Sequence, residues 1–155
     1  MGGSKGKMRE RACCLYQVVV SDFSNKKTPY KVAKNFAFIN LNKTGGGSNI
    51  DDRIFMFCDE FNDELKNEID IIGPDIIVWL GCNTFDNTKI RRNLCIIEKK
   101  GKFYYNNIPV IRMWHTSYYR SNYERLCKFD NIIIDKLSKK LHDELNAIGW
   151  YKQKE

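Results

Sequence analysis

The sequence predicts an α/β fold, a three-layer α/β/α sandwich around a mostly parallel central sheet. Segments with apolar residues at helical spacing alternate with short β-type runs along the chain. The run DIIVWLG (75–81) is almost continuously apolar, which is typical of a strand covered on both faces. Strands that alternate with helices in this way favour parallel neighbours joined by crossover helices.

The helices are predicted from a three- and four-residue apolar period, and the strands from short runs rich in β-branched and aromatic residues. A cap at Asn49 or Asp51 begins the second helix, and Gly73-Pro74 ends it. In chain order, the predicted elements are a helix over 8–20, a strand over 35–42, a helix over 51–72, a strand over 75–81, a short helix in 82–95, a hairpin around Lys100 and Gly101 in 96–105, a strand over 108–114, and a helix over 122–147 that ends at Gly149.

Length and composition favour one globular domain. The chain has 155 residues, 43% of them hydrophobic and 13% aromatic, so we expect a single domain over 1–155 with a flexible tail at 1–7. Six cysteines without a C-x-x-C pair predict reduced thiols in an intracellular protein, cytoplasmic or, in a eukaryote, nuclear. No apolar run approaches the roughly 20 residues of a membrane span, and neither cysteines nor histidines show metal-ligand spacing. We therefore expect no membrane insertion, no metal and no cofactor.

The charge of the chain favours a polyanionic partner. There are 26 basic and 19 acidic side chains, which give a net charge of +7, and the pI is about 9.1. An excess of this size is typical of proteins that bind nucleic acid. The alternative is a merely soluble basic protein, since much of the excess lies near the two termini, where solvated tails are common.

Candidate functional residues follow the predicted strands. In open parallel sheets, ligands bind outside the carboxyl ends of the strands, which here are Asn40–Asn49, Gly81–Thr84 and His115–Ser121. The amides of Asn40 and Asn42 each offer a donor and an acceptor that can read a base edge. The alternative is that they bond the following loop.

The remaining candidates each have two interpretations. Lys43 and Thr44, followed by three glycines, can hold a phosphate or form a flexible turn, and the order of residues excludes a P-loop. His115 can donate to an oxygen that gains negative charge, or it is a structural residue at a strand end. The run Tyr118-Tyr119-Arg120 can stack on bases or enter a groove, or it fills a half-buried loop.

Taken together, FAFINLNKTGGGSN, the helix leading to IIGPDIIVWLGCNT, and IPVIRMWHTS resemble the uracil-DNA glycosylase superfamily over roughly residues 35–121, most of all its poorly characterised bacterial and phage-type members. The resemblance implies hydrolysis of the N-glycosidic bond of a flipped uracil or other modified base in single- or double-stranded DNA. It implies that Asn40 recognises the base and that His115 stabilises the oxyanion on the leaving base. Ser117 would then hold a phosphate, with Tyr118, Tyr119 or Arg120 in the space left in the stack.

The sequence departs from the family pattern in three places. Thr116 stands where the family has proline, and Thr44 stands where its iron-sulfur branch has a cysteine, so that no cluster is implied. The family's N-terminal strand, whose loop directs the attacking water, has no counterpart, and Asp51, Asp52 and Asp86 near the predicted rim are not assigned to that role. The alternative is a non-catalytic module that binds DNA or protein. The lost strand would leave a sheet edge for a homo-oligomer or a partner protein.

Overall fold

The computed structural model describes residues 4–20, 36–41, 53–113 and 130–153. The chain divides into two compact units, one formed by Met1–Phe36 with Met113–Glu155 and the other by Ala37–Arg112. The single domain over 1–155 stays a prediction. No helix within the described ranges is long and apolar enough to cross a membrane.

The described residues form six α-helices, four strands and a terminal 3-10 helix. In chain order they are α1 (Ser4–Val20), α2 (Arg53–Glu60), α3 (Asn62–Ile72), β1 (Ile77–Leu80), α4 (Cys82–Asp86), α5 (Thr88–Asn93), β2 (Ile96–Lys99), β3 (Lys102–Tyr105), β4 (Ile108–Met113), α6 (Asp130–Ala147) and the 3-10 helix (Trp150–Gln153).

The first unit packs α1 against α6. Helix α1 begins at Ser4, inside the stretch predicted as a tail. At its other end, Trp150 Nε1 donates to the Val19 carbonyl at 2.8 Å, and the Tyr151 hydroxyl donates to the Val18 carbonyl at 2.7 Å. These bonds satisfy carbonyls that the end of a helix leaves without an intrahelical partner. The buried positions of the pair are Ala12, Cys13, Leu15, Val18, Val19, Leu137, Leu141 and Leu145.

The second unit is built on a mixed four-stranded sheet in the order β1-β4-β3-β2. The α/β class is thereby confirmed, but the prediction of a mostly parallel sheet is wrong. Two-residue turns at Lys100-Gly101 and Asn106-Asn107, all with positive φ, make β2, β3 and β4 antiparallel neighbours. Since the sheet is mixed, its remaining pair, β1 and β4, is parallel.

Two predicted elements differ from the structure. Residues 36–41 form no strand, although Ile39 and Leu41 pack against the core of this unit. The predicted helix over 51–72 is interrupted at Phe61, whose backbone leaves the helical region. Helical hydrogen bonds nevertheless continue from Phe57 through Phe61 to Leu65, which explains why the apolar period runs on without a break.

Aromatic rings fill the centre of the second unit's core. Phe85 is fully buried and meets Trp79 and Phe103 edge to face, with ring centroids 5.6 and 4.8 Å apart. The core thereby joins β1, α4 and β3. Its other buried members are Cys58, Leu65, Ile69, Ile90, Leu94, Ile96, Tyr105 and Val110.

Candidate functional site

The carboxyl ends of β1 and β4 lie at the same edge of the sheet, because these strands are parallel neighbours. Strand β1 ends at Leu80 and leads into Gly81–Thr84, and β4 ends at Met113, two residues before His115 in the sequence. This is the arrangement in which α/β sheets collect ligand-binding loops.

The turn after β1 is held by internal hydrogen bonds. Thr84 is 2% exposed, and its hydroxyl accepts from Trp79 Nε1 at 3.0 Å and donates to the Gly81 carbonyl at 2.9 Å. Gly81 has φ 132°, and a Cβ there would lie 3.2 Å from the Thr84 hydroxyl oxygen. Both requirements favour glycine. The polar atoms of Thr84 are therefore committed to the fold, where they fix the backbone of this turn.

An ion pair joins β4 to the helix that follows β1. The Arg112 guanidinium donates to the Asp86 carboxylate at 2.5 Å, and the two side chains are 39% and 51% exposed. A half-exposed pair of this kind contributes little to stability, about 0–1 kcal/mol. The Asp86 carboxylate, which the sequence predicts near the rim of the site, is therefore engaged by Arg112.

Asn40 is the predicted site residue that falls within the described part of the chain. Its side chain is exposed, whereas its neighbours Ile39 and Leu41 pack against the core that contains Trp79. The segment thus presents the Asn40 amide away from the core. The other predicted site residues lie outside the described residues: Asn42, Lys43, Thr44, His115, Ser117, Tyr118, Tyr119 and Arg120.

A basic surface around β2 is a feature that the sequence analysis missed. Strand β2 is an outer strand of the described sheet, and α5 packs against it. We call Arg91, Arg92, Lys99 and Lys100 the basic edge. A charge count in windows along the chain would have found it, because residues 87–112 contain seven basic side chains and one acidic side chain.

Aromatic rings position two cations of the basic edge. The Arg91 guanidinium carbon lies 5.5 Å from the Phe85 ring centroid and 5.0 Å from that of Phe103. The Lys99 ammonium lies 5.8 Å from the ring centroid of Tyr104. Contacts of this kind are worth about 0.5–1 kcal/mol at exposed sites and restrict where the charge can lie.

Two buried groups of this unit are poorly suited to acid–base chemistry near neutral pH. Burial, together with the charge of Asp59, raises the pKa of Cys58 to about 11. Burial and the hydrogen bond to Asp70 raise the pKa of Tyr105 to about 12. Both groups therefore stay protonated at neutral pH and serve the core.

Comparison of the chain with protein-family models, with curated proteins and with solved structures finds no significant match in any of the three.

Proposed function

We propose that this chain is a DNA glycosylase-like protein that binds DNA and hydrolyses the N-glycosidic bond of a flipped uracil or other modified base. The proposal includes the three-layer arrangement of the uracil-DNA glycosylase superfamily. The observation that supports it most is the placement of Asn40, exposed between two residues that anchor its segment to the core. An amide held in this way can present a donor and an acceptor to a base edge.

In this mechanism the bond between the sugar and the base nitrogen breaks, and its electron pair leaves with the base. Negative charge then develops on a base oxygen, toward which His115 donates a hydrogen bond. Such donors typically lower the barrier by about 3–4 kcal/mol, a factor of 10²–10³ in rate. Water adds to the sugar carbon and loses a proton, leaving an abasic site. Ser117 and Lys43 hold flanking phosphates, and Tyr118, Tyr119 or Arg120 occupies the gap in the stack.

The second candidate is a module that binds DNA without cleaving the glycosidic bond. The basic edge favours it, because those cations attract a polyanion without any contribution from Asn40 or His115.

Base release from oligonucleotides carrying uracil or other altered bases separates the two candidates. We expect the wild-type chain to form abasic sites, detected by alkaline strand cleavage, and His115→Ala to release base about 10²–10³-fold more slowly. His142→Ala is the matched control. His142 is the chain's other histidine, exposed on α6 and tilted over the Tyr151 ring. Binding without base release by the wild type would favour the module.

Asn40→Ala tests the reading of the base. We expect selectivity for altered over normal DNA to fall, with a smaller change in overall affinity, because the amide contacts the base and not the backbone. Asn67→Ala, at an exposed asparagine of α3, is the control. An equal loss of affinity for normal and altered DNA would contradict the assignment of Asn40.

A further inference from the structure

The cations of the second unit fall into two groups. Lys89 donates to the Asp59 carboxylate, and Arg112 donates to that of Asp86. Arg91 and Arg92, by contrast, make no ion pair with any carboxylate in the described part of the chain. The stacked guanidinium of Arg91 is therefore placed by aromatic rings, with N–H groups that no described carboxylate engages.

An open depression lies where α5 meets β2. It is lined by Thr88, Arg91, Arg92, Ile97, Glu98 and Phe103 among others, and its volume is about 280 Å³. Small-molecule pockets usually measure roughly 300–1,000 Å³ and bury most of their ligand. A shallow and open site with two guanidinium groups fits a segment of a charged polymer better than an enclosed small molecule.

Strand addition is a poor explanation of this surface. Strand β2 has only four residues, and Glu98 and Lys99 expose opposite charges on it. Short strands and charged side chains are the usual devices that prevent an edge from pairing with another chain. Recognition here would depend on side chains, and the exposed cations of the hairpin suit a repeating anionic backbone.

We propose that the basic edge binds the phosphodiester backbone of a nucleic acid, with Arg91 and Arg92 donating to phosphate oxygens. Guanidinium groups match phosphate geometry with paired N–H donors. Lys99 and Lys100 add attraction at longer range. The choice of nucleic acid over another polyanion rests on the proposed function, but the proposal names different residues, Arg91, Arg92, Lys99 and Lys100.

The test is fluorescence anisotropy with a labelled DNA duplex of normal bases, repeated over a series of salt concentrations. Replacing Arg91 and Arg92 together by alanine removes two phosphate contacts. We expect at least a tenfold loss of affinity. The slope of log affinity against log salt concentration should become shallower by about two, since each phosphate contact contributes about 0.9 to it. Glu98→Gln removes the one acidic side chain of 87–112 and is expected to tighten binding.

Two further variants keep the result interpretable. Arg91 packs over core rings, so the variant that replaces Arg91 and Arg92 can fail to fold. The variant that combines Arg92→Ala with Lys100→Ala changes only exposed positions and replaces it in that case. Lys66→Ala with Lys139→Ala removes the same charge outside the basic edge. Lys66 pairs with Asp63 on α3, and Lys139 is exposed on α6.

The proposal is supported if the basic-edge variants lose affinity and salt slope while the control pair does not. Equal losses in both would show a general charge effect and overturn it. It is also overturned if polyglutamate binds the basic edge and DNA does not, or if the variants only dissociate a dimer in sedimentation. Base release measured with a uracil duplex separates the two proposals. If the wild type binds DNA through the basic edge but releases no base, the glycosylase proposal fails and the basic-edge proposal stands. If the wild type releases base and the basic-edge variants bind DNA as tightly as the wild type, the basic-edge proposal fails.

Discussion

Two regions of the unit Ala37–Arg112 share one core but carry opposite charge. Residues 59–75, which include α3, have seven acidic side chains and one basic side chain, whereas residues 87–112, which include α5 and the hairpin, have seven basic and one acidic. The net charges of the two regions, −6 and +6, cancel in a composition count. A net charge therefore says little about a binding surface, and the location of the charge decides which partner is attracted.

The two regions meet along a seam of hydrogen bonds. The Asp59 carboxylate accepts from Lys89 and Asn93. Farther along, the Tyr105 hydroxyl donates to Asp70 at 2.7 Å. The charges of Asp59 and Lys89 are thus used within the fold, while Arg91 and Arg92 of the same helix make no ion pair in the described part of the chain. The contrast teaches that cations that pair within the protein and cations that make no ion pair in the described part of the chain can come from the same short helix.

Disrupting the shared core is expected to have the largest effect on stability. Phe85→Ala deletes a fully buried ring that packs against Trp79 and Phe103. We expect the free energy of unfolding to fall by about 3–5 kcal/mol in urea titration, with both charged regions lost together. Met56→Ala, at a residue 67% exposed on α2, should change stability by less than about 0.5 kcal/mol. A loss below about 1 kcal/mol in Phe85→Ala would show that the regions do not depend on one core.

A smaller effect is expected from removing one hydrogen bond between the two regions. Tyr105→Phe removes the hydrogen bond to Asp70 but keeps the ring, so the free energy of unfolding should fall by about 1 kcal/mol. An unchanged stability would mean that the bond does not join the two regions in solution.

Tyr105→Phe should also change how the free energy of unfolding depends on alkaline pH. Native Tyr105 keeps its proton up to about pH 12, whereas the unfolded chain loses it near the ordinary pKa of 10. The part of the stability that comes from Tyr105 is therefore fully present below pH 10 and is lost as the pH rises toward 12. Tyr105→Phe should remove this part of the decline in pH-dependent urea titrations and leave the part from Cys58, which falls between pH 9 and about 11. An identical alkaline decline in both proteins would contradict the assignment.

A stability effect of about the same size is expected on the basic side alone. The Asn87 side chain caps α5 by accepting from the Lys89 and Ile90 backbone N–H groups at 2.9 and 3.2 Å. Asn87→Ala should lower the free energy of unfolding by about 1 kcal/mol, and Asn87→Asp, which keeps the acceptor, should stay close to the wild type. A loss of the same size in Asn87→Asp would argue against the cap as the cause.

Local signals in the sequence predicted much of this fold. The apolar period gave α1, α3 and α6, the continuous apolar run gave β1, and Lys100-Gly101 gave the hairpin turn. Gly73 ends α3 in a left-handed conformation as expected, with its N–H donating to the Ile69 carbonyl. Each of these depends on interactions within a few residues, which a sequence pattern expresses directly.

Pairing between distant segments was harder to predict. The hairpin has a weak alternation of faces, and nothing local showed that it joins the sheet beside β4. Residues 38–41 alternate between exposed and half-buried side chains like a strand, yet residues 36–41 form none in the structure. The positions of Arg91 over Phe103 and of Asp59 beside Lys89 depend on contacts across the sheet and across helices. A charge count along the sequence could show the basic excess in 87–112, but not how its cations are packed.

Hydrogen exchange with and without a DNA duplex tests the contrast between the two regions most directly. We expect backbone amides of residues 87–112 to gain protection when DNA is present, while those of residues 59–75, with seven acidic side chains, exchange as before. Protection confined to the acidic region, or equal in both, would contradict the account.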